Sequence, residues 1–135
     1  MINNKWTFNC FVIVCIIFAS CATTKNAEGQ QKVPKKAQSL FNEGLKMQGY
    51  GEYQEAIELF KQSIKKAPGF INAYDALANT YQKNNQLKKS KNTYLKLITL
   101  NHDHFYGLYE LGNIYFELGE LDSSEYYYQR FLTVK

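Results

Sequence analysis

The chain has 135 residues, of which 45% are hydrophobic, 16% aromatic and 21% charged, with a formal charge of +4. That length fits one ordinary domain and excludes a large multidomain enzyme. Two prolines and eight glycines argue against a turn-rich β-sandwich, and so modest a charge is no pointer to nucleic acid.

The first element is an address. Met1 to Thr7 carries Lys5, and an apolar run from Phe8 to Ala19 follows, broken only by Asn9. A basic start, a short apolar core and small residues at its end make a secretory signal. Twelve helical residues reach about 18 Å, against about 30 Å for a bilayer core. The run is therefore too short for a comfortable membrane span.

The end of that run, Phe18-Ala19-Ser20-Cys21, resembles a bacterial lipobox, with Phe18 standing where Leu is usual. The resemblance implies that residues 1–20 are removed as a lipoprotein signal peptide and that Cys21 becomes an acylated amino terminus. Acyl chains anchor because each buried CH₂ contributes about 0.8 kcal/mol. The alternative is an ordinary or uncleaved signal in which Cys21 is incidental. Cys10 and Cys15 lie in the apolar segment, so cleavage leaves no free thiol, no disulfide and no cysteine-based metal site. Residues 22–36 are polar and aperiodic and read as a tether. Lys25, Lys32, Lys35 and Lys36 outweigh Glu28 there, so the segment is either solvated linker or attracted to anionic head groups.

From Ala37 the chain matches itself at a spacing of 34 residues. Leu40, Tyr74 and Leu108 align, as do the small residues Gly44, Ala78 and Gly112. Met47, Tyr81 and Tyr115 follow, then Gly51, Asn85 and Gly119, then Tyr53, Leu87 and Leu121. Ala56, Ser90 and Ser124 are small, Phe60, Tyr94 and Tyr128 aromatic, and Ile64, Ile98 and Leu132 aliphatic. In each unit the first set recurs at helical spacing, so a helix is expected. Gly51, Asn85 and Gly119 then break it, where a left-handed backbone suits Gly or Asn. A second helix follows, stopped in the first unit by Pro68. Gly44, Ala78 and Gly112 are expected to let a neighbouring helix approach, with Phe60, Tyr94 and Tyr128 filling the space beside them.

This order of residues resembles the tetratricopeptide repeat. The resemblance implies an all-α solenoid of three helix-turn-helix repeats in a right-handed superhelix, over 37–70, 71–104 and an incomplete 105–135. Asn85, Ser90 and His102 depart from the family's Gly, Ala and Pro. Repeats of this kind touch only their neighbours. The last helix, expected from Leu121 to Val134, then has one face with nothing to cover it. Tyr127, Phe131 and Val134 are the expected exposed strip, open to a partner, to self-association or to further chain.

The resemblance places each first helix on a concave groove. The expected lining is Gln38, Asn42 and Leu45, then Asn72, Asp75, Asn79 and Gln82, then Tyr106, Tyr109, Glu110, Asn113 and Phe116. Asn79 and Asn113 share a register, and a carboxamide can hold an extended peptide backbone. They can equally satisfy local helix groups. Asp75, Tyr109 and Glu110 occupy positions where a carboxylate-binding clamp needs lysine or arginine. A neutral or mildly basic, partly aromatic partner is expected instead of an acidic peptide terminus.

Residues 71–104 are net basic and residues 105–135 net acidic, which reads as solvated surface or as head-to-tail stacking of copies. His102-Asp103-His104 hints at metal, but no third ligand is signalled, and Asp103 is the expected cap of the following helix. The Lys88-Lys89-Ser90-Lys91 run lacks any base-reading motif. No nucleic acid, metal or cofactor is expected, and no catalytic set is visible. The expected role is a non-enzymatic adaptor in the bacterial cell envelope. It is anchored through Cys21, on the outer membrane by expectation, and holds another envelope protein. The alternative is the amino-terminal part of a larger lipoprotein, because the chain also resembles that part of Bacteroidota outer-membrane lipoproteins with peptidoglycan-binding domains.

Overall fold

The computed structural model describes residues 32–134. The signal-like segment, Cys21 and all of the expected tether before Lys32 lie outside the described residues. Six helices follow: α1 Lys35–Gly49, α2 Tyr53–Lys66, α3 Ile71–Lys83, α4 Leu87–Leu100, α5 Phe105–Glu117 and α6 Leu121–Thr133. None of them is long and apolar enough to cross a membrane. The first begins two residues inside the expected tether. Pro34 precedes it with φ −55°, and its carbonyl accepts a hydrogen bond from the Gln38 amide at 3.1 Å. The fixed proline φ is compatible with opening a helix there.

The packing is sequential. α1 lies on α2, α3 on α4 and α5 on α6, while α2 meets α3 and α4 meets α5. The fold is an all-helical solenoid of helix pairs. Each pair turns through one residue with positive φ: Gly51 at 82°, Asn85 at 55° and Gly119 at 75°. A Cβ is costly in that region, and asparagine tolerates it better than most residues.

Close approach within pairs follows from the small residues. A Cβ on Gly44 would lie 2.7 Å from the Phe60 ring, and one on Gly112 would lie 2.6 Å from the Tyr128 ring. Phe60 and Tyr94 are wholly buried. One core cluster includes Ala56, Phe60, Leu77 and Tyr81, and a second includes Tyr94, Leu97, Leu108 and Leu111. Ile64 packs against both, which joins the first and second helix pairs. Each fully buried aliphatic or aromatic side chain contributes about 1.5–3 kcal/mol.

Two expectations are corrected. Tyr127, Phe131 and Val134 do not form an exposed strip, because all three are partly buried against the second cluster. Ser124 points inward at 3% exposure, and residues three, four and seven further on share its face. The large apolar residues that α6 exposes are Leu121, Tyr126 and Leu132, the last 77% exposed. Its register equivalent Ile98 is buried, with its Cδ1 beside Gly107 of α5.

The cap of α5 is His104 and not Asp103. His104 Nδ1 accepts from the Gly107 amide at 3.1 Å, while the Asp103 amide donates to Asn101 Oδ1 at 3.2 Å. The ring nitrogen does the work expected of the carboxylate because the turn leaves His104, one residue later, as the last non-helical position. One pair of the opposite charges of the second and third units meets within the chain. Lys91 Nζ lies 2.9 Å from Glu120 Oε1 and 4.8 Å from the centroid of the Tyr115 ring.

Candidate binding groove

α1, α3 and α5 border an open groove of about 490 Å³. Phe41, Leu45 and Gln48 come from α1, Asn72, Asp75, Ala76 and Asn79 from α3, and Tyr106 from α5. Gln48, Asn72, Asp75, Asn79 and Tyr106 bring polar groups to the lining, and Phe41, Leu45 and Ala76 bring apolar area. None of the lining residues is a lysine or arginine.

Hydrogen bonds hold the wall in place. Gln48 Nε2 donates to Thr80 Oγ1 at 2.7 Å and to Asn79 Oδ1 at 3.3 Å. Thr80 Oγ1 in turn donates to the Ala76 carbonyl at 2.6 Å. One side chain of α1 thereby fixes two of α3. Between α3 and α5, Gln82 Nε2 donates to Glu110 Oε2 at 2.9 Å. In α5, Asn113 Oδ1 accepts from the Tyr128 hydroxyl at 2.7 Å. Both asparagines thus commit their carbonyl oxygens to local partners.

The residues expected along the groove separate into groups. Asp75, Asn79 and Tyr106 meet in the cavity with Leu45 and Asn72. Gln82 and Glu110 pair beside it. Tyr109 lies outside the cavity, against the rings of Tyr128 at 6.3 Å and Phe131 at 5.5 Å. Phe116 is 63% exposed on the last turn of α5. Asn42 is exposed and accepts from Gln38 Nε2 at 2.9 Å, within its own helix. Phe41, Gln48 and Ala76 were missed as lining residues. Phe41 had a signal, because it stands 34 residues before Asp75 in the repeat register.

The electrostatics centre on Asp75. Burial pushes its carboxyl above the usual carboxylate range, His104 partly offsets this, and Glu110 adds to it. Burial also pushes the Tyr94 hydroxyl up, with Asp75, Glu110 and Tyr106 adding to the effect. Tyr106 is raised by burial and by Glu110. These groups therefore form one electrostatic neighbourhood, acidic in sign. Such a place disfavours an anion and favours a hydrogen-bond donor or a cation.

Two models of the tetratricopeptide repeat match the chain, over residues 47–109 and 106–135. The helical part of this chain belongs to the tetratricopeptide-repeat family. The photosystem I assembly protein Ycf3 of Prochlorococcus marinus (strain NATL1A) is 31% identical over 113 residues, covering 77% of this chain and 65% of that protein. Anaphase-promoting complex subunit 3 of Schizosaccharomyces pombe is 29% identical over 79 residues, 58% of this chain and 12% of that protein. The chain therefore spans less than two thirds of either relative. Among solved structures, the second tetratricopeptide domain of Spaghetti (RPAP3) bound to the HSP90 peptide SRMEEVD superposes with a TM-score of 0.70 at 19% identity. That match covers 75% of this chain and 94% of the other. MamA superposes with a TM-score of 0.70 at 22% identity, over 72% of this chain and 57% of the other.

Proposed function

We propose that this chain is a lipid-anchored adaptor of the bacterial cell envelope that holds another envelope protein through the groove. The groove carries the reading: polar groups of Asn72, Asp75, Asn79 and Tyr106 converge on one open cavity of about 490 Å³ between helices of successive repeats. That shape suits an extended segment more than a small molecule, since it is open along one side and bordered by three helices. Its similarity to a fold that holds a peptide in RPAP3 supports the same mode. Asn79 Oδ1 is already engaged, so its contribution to a ligand is the amide N–H pair. The anchor is Cys21 in its lipobox-like context, and the role is binding without catalysis.

Crosslinking in native cells, followed by identification of the attached protein, tests the adaptor. Asn79→Ala is expected to reduce capture at unchanged helicity by circular dichroism, and unchanged capture would remove the groove from the mechanism. Cys21→Ser is expected to release the chain from the membrane fraction and to abolish incorporation of labelled palmitate. Unchanged palmitate incorporation would exclude Cys21 as the lipid anchor.

A further inference from the structure

Asp75 stands where its neighbours carry rings. The register set is Phe41, Asp75 and Tyr109, one per repeat. Phe41 packs on Phe60 at 5.8 Å and Tyr109 on Tyr128 at 6.3 Å, so the outer repeats each place an aromatic beside the aromatic of the second helix. The middle repeat instead carries a carboxylate at this register position, within electrostatic range of Tyr94. Ring pairs of this kind contribute to stability, and a half-buried carboxylate detracts from it.

One oxygen of that carboxylate, Asp75 Oδ1, is also withdrawn from solvent and left without a hydrogen-bond donor. Tyr94, 0% exposed, has a hydroxyl without a partner, and that hydroxyl lies within electrostatic range of Asp75, Glu110 and Tyr106. No lysine or arginine lines the cavity. The nearby His104 spends Nδ1 as acceptor of the α5 cap and brings no proton to Asp75 through it. Buried polar groups are nearly always paired, and two orphans together mark a place where a missing partner would gain.

We propose that Asp75 anchors one lysine or arginine side chain of an extended protein segment lying in the groove. This rests on the groove reading above and names its chemistry. The cation enters from the open side, meets the Asp75 carboxylate, and has Glu110 as a second negative neighbour. Tyr106 and Phe41 offer ring area for the aliphatic stem or for a guanidinium plane. An acidic segment, such as the HSP90 peptide held by RPAP3, would meet the same carboxylates with the wrong sign.

The test is selection of phage-displayed random dodecapeptides on the full chain, followed by affinity measurement on synthetic winners. The selected sequences are expected to share a basic residue at one position. Replacing it with glutamine should weaken binding about tenfold, as expected for a partly desolvated charge pair. Asp75→Asn should abolish the discrimination between the basic peptide and its glutamine version. Asp75→Phe restores the register aromatic, so it should fold, melt higher than the native chain and also lose that discrimination. Winners that share no basic residue but still depend on Asn79 would overturn the cation anchor and leave the groove reading standing. Basic winners whose binding survives both Asp75 variants would overturn it as well. Failure to select any groove-dependent peptide would sink the groove reading and the anchor together.

Discussion

The second and third repeats solve the same packing problem with opposite outcomes. In the third, the Tyr128 hydroxyl donates to Asn113 Oδ1 at 2.7 Å and the Ser124 hydroxyl donates to the Gly112 carbonyl at 2.9 Å. In the second, the equivalent hydroxyls of Tyr94 and Ser90 are buried and unpaired. Together with Asp75 Oδ1 they are all the buried, unpartnered side-chain polar atoms among the described residues. The cause is visible for Tyr94. Its register acceptor is Asn79, whose oxygen accepts from Gln48 of the preceding repeat instead. A repeat with neighbours on both sides has its acceptors drawn into contacts between repeats. The lesson is that equal sequence positions in a solenoid are not energetically equal.

The largest effect that sharpens this contrast concerns the closest helix approach. Gly112→Ala places a Cβ 2.6 Å from the Tyr128 ring, whereas the second repeat already accommodates Ala78 at this register. The expected cost in a denaturant melt is about 1–3 kcal/mol, the usual range for overpacking. A neutral result would mean that the third repeat relaxes as the second does.

Next is a pair of deletions. Tyr128→Phe should cost about 1 kcal/mol, because it strands Asn113 Oδ1. Tyr94→Phe should cost nothing or stabilise, since its hydroxyl has no bond to lose. Equal losses from the two variants would break the comparison.

Asp75 gives a pH-dependent version of the same contrast. Its carboxyl is raised above the usual range, so the folded state holds that proton more tightly than the unfolded state. Its contribution is therefore greatest below the unfolded value of about 3.9 and is lost as pH rises through the folded value. Asp75→Asn should raise the melting temperature at neutral pH, with the gain shrinking toward zero as pH falls below that value. A gain independent of pH would show that the charge is not the cause.

The smallest effect is on the surface. Lys91→Ala removes the 2.9 Å contact to Glu120, where the lysine is mostly covered and the glutamate half open. The expected loss is about 0.2–1 kcal/mol, reduced further in salt.

Much of the fold was legible because repeat positions obey local rules. Gly51, Asn85 and Gly119 punctuate every pair, and all three take positive φ as the pattern requires. Gly44 and Gly112 were readable as close-approach points from their spacing to the aromatics. The candidate groove was legible in part. Asp75, Asn79 and Tyr106 meet in the cavity, but Asn42 is not among its lining residues and Gln48 was not anticipated. The outward face of α6 was misjudged because Tyr126, Tyr127 and Tyr128 are chemically alike, and only the helical phase set by Ser124 tells them apart.

The sequence by itself determined the repeat length, the helix pairing and the small-residue contacts, since these depend on spacing and backbone preference within one unit. The Phe18-Ala19-Ser20-Cys21 pattern behind the proposed anchor lies outside the described residues. Only the tertiary structure decided that Gln48 takes the oxygen that Tyr94 would otherwise reach, that His104 caps α5, and that Asp75 is left without a donor. Those outcomes depend on which of two donors comes within about 3 Å of one acceptor, and that distance is set by how separate helices settle against each other.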